Sequence, residues 1–144
     1  MRAMLFGLAL ALAPSLAFAQ LYDSGWRRVA SSDLEHLDLS GGGMRVNNFM
    51  VYAEERAGRA SPAEDALRTH LFTVSATRQD EAAREVFVQI VGAREDGTPT
   101  VSAAARANFS PRGGNRMQAL RTQTPTSESE MGQTQSYFIR VIVQ

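Results

Sequence analysis

The sequence contains two histidines, His36 and His70, and no cysteine, so few side chains are available for metal binding or base catalysis. Glu35 and Asp38 lie next to His36 and could contribute carboxylates to a metal site. The ligands of one metal must converge in space, however, and nothing in these spacings requires that they do. We therefore expect no metal site and no cofactor, and we interpret the histidines as unrelated strand-edge residues.

A serine nucleophile is the other chemistry to consider. A serine hydrolase needs a serine on a strained turn, with a histidine and an acid nearby. Ser40 is the only serine in front of such flexible backbone, Gly41 to Gly43, and it does not match the G-x-S-x-G pattern. We predict that the chain is not an enzyme, and a hydrolase that uses His36 or His70 remains as an alternative.

Aromatic side chains are the first candidates for a binding surface. Aromatic rings supply a large contact area at a low cost in conformational entropy. Tyr22, Trp26, Tyr52 and Tyr137 could together form a platform for a sugar or a protein. The opposing interpretation is that these rings fill the core and its rim.

A polar, arginine-bearing segment is the second candidate surface. Residues 110–135 are rich in Ser, Thr, Gln, Arg, Gly and Pro, and they contain few apolar residues. The composition predicts a flexible loop at about 110–135, with a possible strand over Asn115 to Arg121 and a mobile connector over Thr122 to Gln135. Long loops on a rigid scaffold often carry function. Its candidate contact residues are Arg112, Arg116 and Arg121.

The first nineteen residues read as a cleavable export signal. Arg2 provides the positive charge, Met4 to Ala13 is an unbroken apolar run, and Ala17-Phe18-Ala19 fits an A-x-A cleavage site. The run is shorter than the roughly 18–20 residues that cross a bilayer. We expect cleavage after Ala19, a periplasmic or secreted product, and no stable membrane anchor. The competing interpretation is a buried N-terminal helix.

Composition limits the remaining possibilities. Removal of residues 1–19 would leave 144 − 19 = 125 residues, enough for one domain with its own core, and we predict a single domain over residues 20–144. Acidic and basic residues balance at 15 each, and every basic residue is an arginine. The charges are mixed along the chain, whereas binding to nucleic acid requires a basic patch. We therefore expect no nucleic-acid partner.

Alternating apolar residues predict most of the strands. The segments that we predict to be strands are Trp26 to Ala30, Met44 to Ala53, Leu71 to Thr77, Glu85 to Val91, Thr100 to Phe109 and Ser136 to Val143. We place Glu85 to Val91 at the centre of a sheet, and the apolar last strand inside a sheet. Asp96-Gly97 predicts a hairpin, and Gly41 to Gly43 predict a turn.

Met44 to Ala53 carries apolar residues on both of its faces. Regular alternation places Val46, Met50 and Tyr52 on one face, and Phe49 and Val51 on the other. Such a strand is buried on both sides, or it leaves one face for a partner.

Two segments have helical signals. Ser32 with Glu35 fits a capping box for one helical turn, whereas Glu35, Leu37 and Leu39 share one face of a strand, which we favour for Ser31 to Leu39. Ser61, Pro62 and Glu64 predict the start of a short helix that ends near Thr69.

These patterns predict an all-β fold, a two-layer antiparallel β-sandwich of the immunoglobulin-like or jelly-roll-like kind, with one short helix. An α+β fold, with the Pro62 helix packed on one antiparallel sheet, is the alternative. We expect a non-enzymatic module that binds a protein partner in the bacterial envelope. Binding of a small molecule or carbohydrate through Trp26 and the tyrosines is the alternative function.

Overall fold

The computed structural model of the chain describes residues 21–53, 67–112 and 114–144. The strands are β1 (Tyr22–Asp23), β2 (Arg27–Ala30), β3 (Leu39–Gly41), β4 (Met44–Ala53), β5 (Leu67–Arg78), β6 (Arg84–Ala93), β7 (Pro99–Phe109), β8 (Met117–Ser127) and β9 (Ser136–Val143). A 3₁₀ helix covers Ser31–His36, and helix α1 covers Glu128–Gly132. The predicted export signal, Met1 to Ala19, and the predicted helix start at Ser61 lie outside the described residues.

The strands form two packed antiparallel sheets. A five-stranded sheet has the order β1-β9-β6-β7, with β2 also paired to β9, and a four-stranded sheet has the order β3-β4-β5-β8. This arrangement confirms the predicted two-layer, all-β sandwich with a short helix. Helix α1 has five residues and lies against β7 and β8. The described residues therefore do not form the α+β alternative.

Alternating side chains build the core between the sheets. Phe72, Val74 and Ala76 of β5 point inward, as predicted. The inward residues of β6 and β9 in the five-stranded sheet are Val86, Val88, Ile90, Tyr137, Ile139, Val141 and Val143. Rings of Phe72 and Tyr137 meet edge to face across the two layers, with centroids 6.4 Å apart. Strand β9 lies between β6 and the β1–β2 edge, which confirms that the last strand is internal.

Both predicted glycine turns are present. Gly42 and Gly43 join β3 to β4 with φ angles of 57° and 76°, a pair of positive values that suits a two-residue hairpin turn. Between β6 and β7, Gly97 has a φ of 86°, and the Arg94 N–H donates to the Thr98 carbonyl at 2.9 Å. Only glycine adopts such positive φ angles without strain.

A β-bulge in β4 changes which residues share a face. The register of β4 with β5 shifts between Asn47 and Met50, and Asn48 has a φ of 55°. The extra residue places Phe49 on the same inner face as Val46, while Met50 is 43% exposed on the outer face. The prediction that Val46, Met50 and Tyr52 share one face was therefore wrong. Asparagine tolerates this backbone conformation better than most residues.

The prediction of a strand over Ser31 to Leu39 was also wrong for most of that range. Ser31–His36 is a 3₁₀ helix, and β3 begins only at Leu39. Leu34 is buried in the core from this helix, which packs against β4. Ala30 is the N-cap and makes no side-chain capping bond, so Ser32 does not begin the turn as a capping box would require. The described end of the second predicted helix, Leu67 to Thr69, belongs to strand β5.

The predicted mobile loop at residues 110–135 is largely ordered secondary structure. Strand β8 pairs with β5 without interruption from Leu67↔Ser127 to Thr77↔Met117. Hydrogen bonds hold the segment that follows: Glu130 N–H donates to Ser127 Oγ at 3.1 Å, and the hydroxyls of Thr100 and Thr134 are 2.6 Å apart. The composition argument failed because it counted apolar residues and overlooked buried threonine and serine hydroxyls that are hydrogen-bonded.

Arg78 is a buried cation that connects three segments at one end of the sandwich. Its side chain is 3% exposed, and among the described residues it has no ion pair. Nη1 donates to the carbonyl of Ser110 and, at 3.3 Å, to that of Ala82. The Arg78 main-chain N–H donates to the Arg116 carbonyl at 2.7 Å. Arg78 thus ties β5 to the β5–β6 turn and to the β7–β8 connection.

We predict that Arg78→Met lowers the free energy of unfolding by about 2–3 kcal/mol, because the hydrogen bonds that this buried side chain donates to the carbonyls of Ala82 and Ser110 are lost. Urea denaturation measures this. Arg106→Met is the matched control, since Arg106 is 61% exposed and pairs with Glu85 at 3.3 Å. The free energy of unfolding of the control should fall by less than about 1 kcal/mol. Equal losses in the two variants would contradict the role of Arg78.

Burial raises the pKa of Tyr137, so the folded state favours the neutral phenol. Its contribution to stability is therefore present below the unfolded-state pKa of about 10 and is lost as the pH rises further, by up to about 1.4 kcal/mol per pH unit. The chain has no lysine and no cysteine to titrate in the same range. Stability measured between about pH 9 and 12 should fall less steeply in Tyr137→Phe. An unchanged slope in Tyr137→Phe would refute the assignment.

Candidate functional site

The predicted aromatic platform is not assembled. Tyr52 is 46% exposed on the outer surface of the four-stranded sheet, whereas Trp26, 49% exposed, lies between β1 and β2 at the edge of the other sheet. Tyr137 is buried in the core. The Tyr22 ring covers Gly41 so closely that a Cβ atom there would lie 2.3 Å from the ring carbon Cδ2. Tyr22 and Tyr137 are therefore structural, and Trp26 and Tyr52 do not share a surface.

The three candidate arginines also separate. Arg112 and Arg116 lie in the connection between β7 and β8, where Arg112 has a φ of 52° and its N–H donates to the Glu81 carbonyl at 3.4 Å. Arg121 lies within β8, directly opposite Thr73 of β5. Only Arg121 joins Tyr52 on the same side of the same sheet.

The histidines lie in different environments. His36 is exposed at the end of the 3₁₀ helix, whereas His70 is 3% exposed in β5, with Nε2 3.8 Å from a Glu128 oxygen. The same oxygen accepts a hydrogen bond from Arg68 at 2.8 Å. No group of three or more potential metal-ligating side chains occurs in the described part of the chain. The nearby hydroxyl of Ser127 caps helix α1.

The outward-facing side chains of β4, β5 and β8 form a continuous surface, which we call the Tyr52 face. Strand pairing places its central residues in two adjacent rows, each running across the three strands. The rows are Tyr52–Leu71–Gln123 and Met50–Thr73–Arg121. Neighbouring strands lie about 4.8 Å apart, and the rows are separated by about 7 Å. The six side chains therefore lie close enough to contact one partner together.

Most of the large exposed apolar side chains in the described residues lie on the Tyr52 face. Six such side chains are exposed, and four of them belong to this face: Met50 (43%), Tyr52 (46%), Leu67 (72%) and Met117 (64%). The other two, Leu21 and Trp26, lie at the N-terminal edge of the five-stranded sheet. Exposed apolar groups that collect on one surface mark an interaction site more reliably than scattered ones.

The Tyr52 face carries a net positive charge. Arg45, at one end of the face, is paired with Asp38; its Nε donates to both carboxylate oxygens, at 3.1 and 3.0 Å. This hydrogen bonding lowers the pKa of Asp38 and keeps the pair ionised. Arg121 is exposed and has no ion pair among the described residues. The centre of the face therefore carries one uncompensated positive charge.

Thr73 lies at the centre of the Tyr52 face with an unusual degree of burial. Its neighbours Phe72 and Val74 point into the core, so Thr73 points outward, yet it is only 7% exposed. Its hydroxyl oxygen is buried and has no hydrogen-bond partner among the described residues. Buried hydroxyls are normally hydrogen-bonded, and this one lies beneath the neighbouring side chains, so a partner on the face does not reach it.

The outer face of the five-stranded sheet differs, because arginines shield its apolar groups. The Arg28 guanidinium lies 5.9 Å from the centre of the Phe138 ring, and that of Arg106 lies 5.7 Å from the centre of the Phe87 ring. Arg140 Nε donates to Asp23 at 3.0 Å on the same sheet. In cation–π contacts of this kind, the guanidinium is attracted to the face of the ring and covers it. The Tyr52 face has no equivalent cover in the described residues.

Sequence reasoning identified Tyr52 and Arg121 but missed Met50, Leu71 and Thr73. The missing information was the bulge at Asn48, which turns Met50 and Tyr52 away from the core. The Asn47-Asn48 pair inside an apolar strand was the available signal, since asparagine is enriched where φ is positive. Met44 to Ala53 does leave one face open, which was one of the two outcomes that its apolar pattern allowed.

Comparisons with protein-family models, with curated proteins and with solved structures find no significant match to this chain. Across the described ranges, no helix is both long enough and apolar enough to span a membrane.

Proposed function

We propose that this chain is an exported, non-enzymatic domain of the bacterial envelope that binds a protein partner on its Tyr52 face. The observation that carries the proposal is the collection of exposed Met50, Tyr52, Leu67 and Met117 on one sheet surface, around Arg121, which has no ion pair in the described ranges. The pattern of Met1 to Ala19 supports export.

The residue types on this face favour a protein partner. Tyrosine, methionine and arginine are enriched at the centres of protein–protein interfaces. Tyr52, Met50 and Arg121 occupy adjacent rows of the sheet, so one partner can bury them together. The sheet holds their backbone in place before binding, which lowers the entropic cost of association.

A shallow depression beside Tyr52 favours a second candidate, a carbohydrate ligand. Leu71, Arg121, Thr122 and Gln123 line this depression. An aromatic ring next to guanidinium and amide groups suits a sugar, because the ring can stack while the polar groups form hydrogen bonds.

Photocrosslinking in the producing cell tests the proposal. We expect p-benzoylphenylalanine at position 52 to give one discrete protein adduct, and the same group at position 106, exposed on the opposite sheet, to give none. Adding Met50→Ser should weaken the adduct at position 52 by about tenfold, because truncation of a central interface residue costs about 1–2 kcal/mol. Urea denaturation checks that the Met50→Ser variant is folded. We expect it to fold because Met50 is exposed.

The adduct also separates the two candidates. Peptides from a second protein in a protease digest of the adduct, detected by mass spectrometry, identify a protein partner, whereas loss of the added mass after glycosidase or periodate treatment identifies a glycan. An adduct at position 106 but not at position 52, or an adduct at position 52 that Met50→Ser leaves unchanged, would contradict the proposed surface.

A further inference from the structure

The charges of the Tyr52 face restrict the chemistry of what can bind there. The outward positions of β4, β5 and β8 include two cations and no carboxylate: Arg45, Asn47, Met50, Tyr52, Leu67, Thr69, Leu71, Thr73, Ser75, Thr77, Met117, Ala119, Arg121, Gln123, Pro125 and Ser127. Asp38 neutralises Arg45. A partner that covers the centre must therefore neutralise Arg121, because a buried, unpaired guanidinium is strongly unfavourable.

Resting on the proposed function, we infer that the partner's contact segment carries an aspartate or glutamate that binds Arg121, next to an apolar side chain that packs on Met50 and Tyr52. Arg121 and Thr73 are directly opposite in the strand register, so their Cβ atoms are about 5 Å apart. A carboxylate above this pair accepts hydrogen bonds from the Arg121 guanidinium, while the Thr73 hydroxyl stays buried beneath the contact. Met50 lies on the other side of Thr73 in the same row.

The partner lies on the face and does not extend the sheet. Strand β3 pairs with β4 from Met44 to Val46, and the 3₁₀ helix packs along β4. At the opposite side of the sheet, β7 lies beside β8, where Gln118 Nε2 donates to the Asn108 carbonyl at 2.7 Å and Thr124 Oγ1 donates to that of Ser102 at 3.3 Å. Part of each side of the sheet is therefore occupied, and the recognition that we infer uses side chains on the face.

A second copy of this chain is a poor occupant of the same face. A face-to-face dimer would bring two surfaces together that both carry Arg121 and lack an unpaired carboxylate. Like charges in a desolvated interface oppose association. A face-to-face dimer therefore does not supply the acidic segment.

Selection from a phage-displayed library of random 12-residue peptides tests the inference. Peptides enriched on the wild-type chain should combine an Asp or Glu with a neighbouring aromatic or aliphatic residue. Synthetic versions, measured by calorimetry, should bind Arg121→Met about tenfold and Arg121→Glu at least about 30-fold more weakly, since charge-assisted hydrogen bonds are lost or reversed. Arg121→Lys should restore part of the affinity, because it restores the charge without the planar guanidinium.

Arg106→Met is the matched control, because it removes an exposed arginine from the opposite sheet, and it should leave peptide affinity unchanged. Enriched peptides without acidic residues, unchanged binding to Arg121→Met, or no enrichment at all would overturn the inference. If Tyr52→Ser abolishes binding while Arg121→Met does not, the Tyr52 face is still the binding surface, and only the inference of an acidic contact segment is wrong. If neither variant affects binding, the proposed function fails as well.

Discussion

The contact between the inner faces of the two sheets is the interaction on which the rest of this structure depends. With no cysteine in the chain, no disulfide can contribute, and stability comes from apolar burial between the layers and from the strand ladders. Phe72 and Tyr137 meet across this interior. Because side chains alternate along a strand, fixing the inner set also fixes the outer set. The chemistry of both outer surfaces is therefore a consequence of the core.

The outer surfaces of the two sheets differ in how far their apolar side chains are exposed to water. On the five-stranded sheet, Arg28 and Arg106 cover phenylalanine rings, so water meets guanidinium groups instead of bare rings. On the four-stranded sheet, Met50 and Tyr52 remain exposed, and Arg121 has no ion pair within the described ranges. The first surface has its phenylalanine rings covered within the domain, whereas the second leaves large apolar side chains exposed.

Sequence reasoning succeeded where local chemistry and the core impose the same structure. The alternation in Ser136 to Val143, the Asp96-Gly97 turn and the β-branched run at Glu85 to Val91 each predicted the observed element. Prediction from the sequence failed where contacts between residues far apart in the chain determine the secondary structure. Strand β8 forms because its threonines find hydrogen-bond partners and its backbone pairs with β5, and neither partner can be read from a polar segment alone. Of the candidate site, Tyr52 and Arg121 were predicted, but their common surface depends on the bulge at Asn48.

The central claim is that the Tyr52 face is a preformed surface on which β8 holds Arg121 in register with β5. Native-state hydrogen exchange of the backbone amides of β8 tests it most directly, because exchange requires opening of the ladder. Amides of β8 that bond to β5 should exchange about as slowly as those of β5 that bond to β4. Exchange of Thr122 to Ser127 at the rate of an unstructured chain would contradict the account, since Arg121 would then be part of a mobile loop.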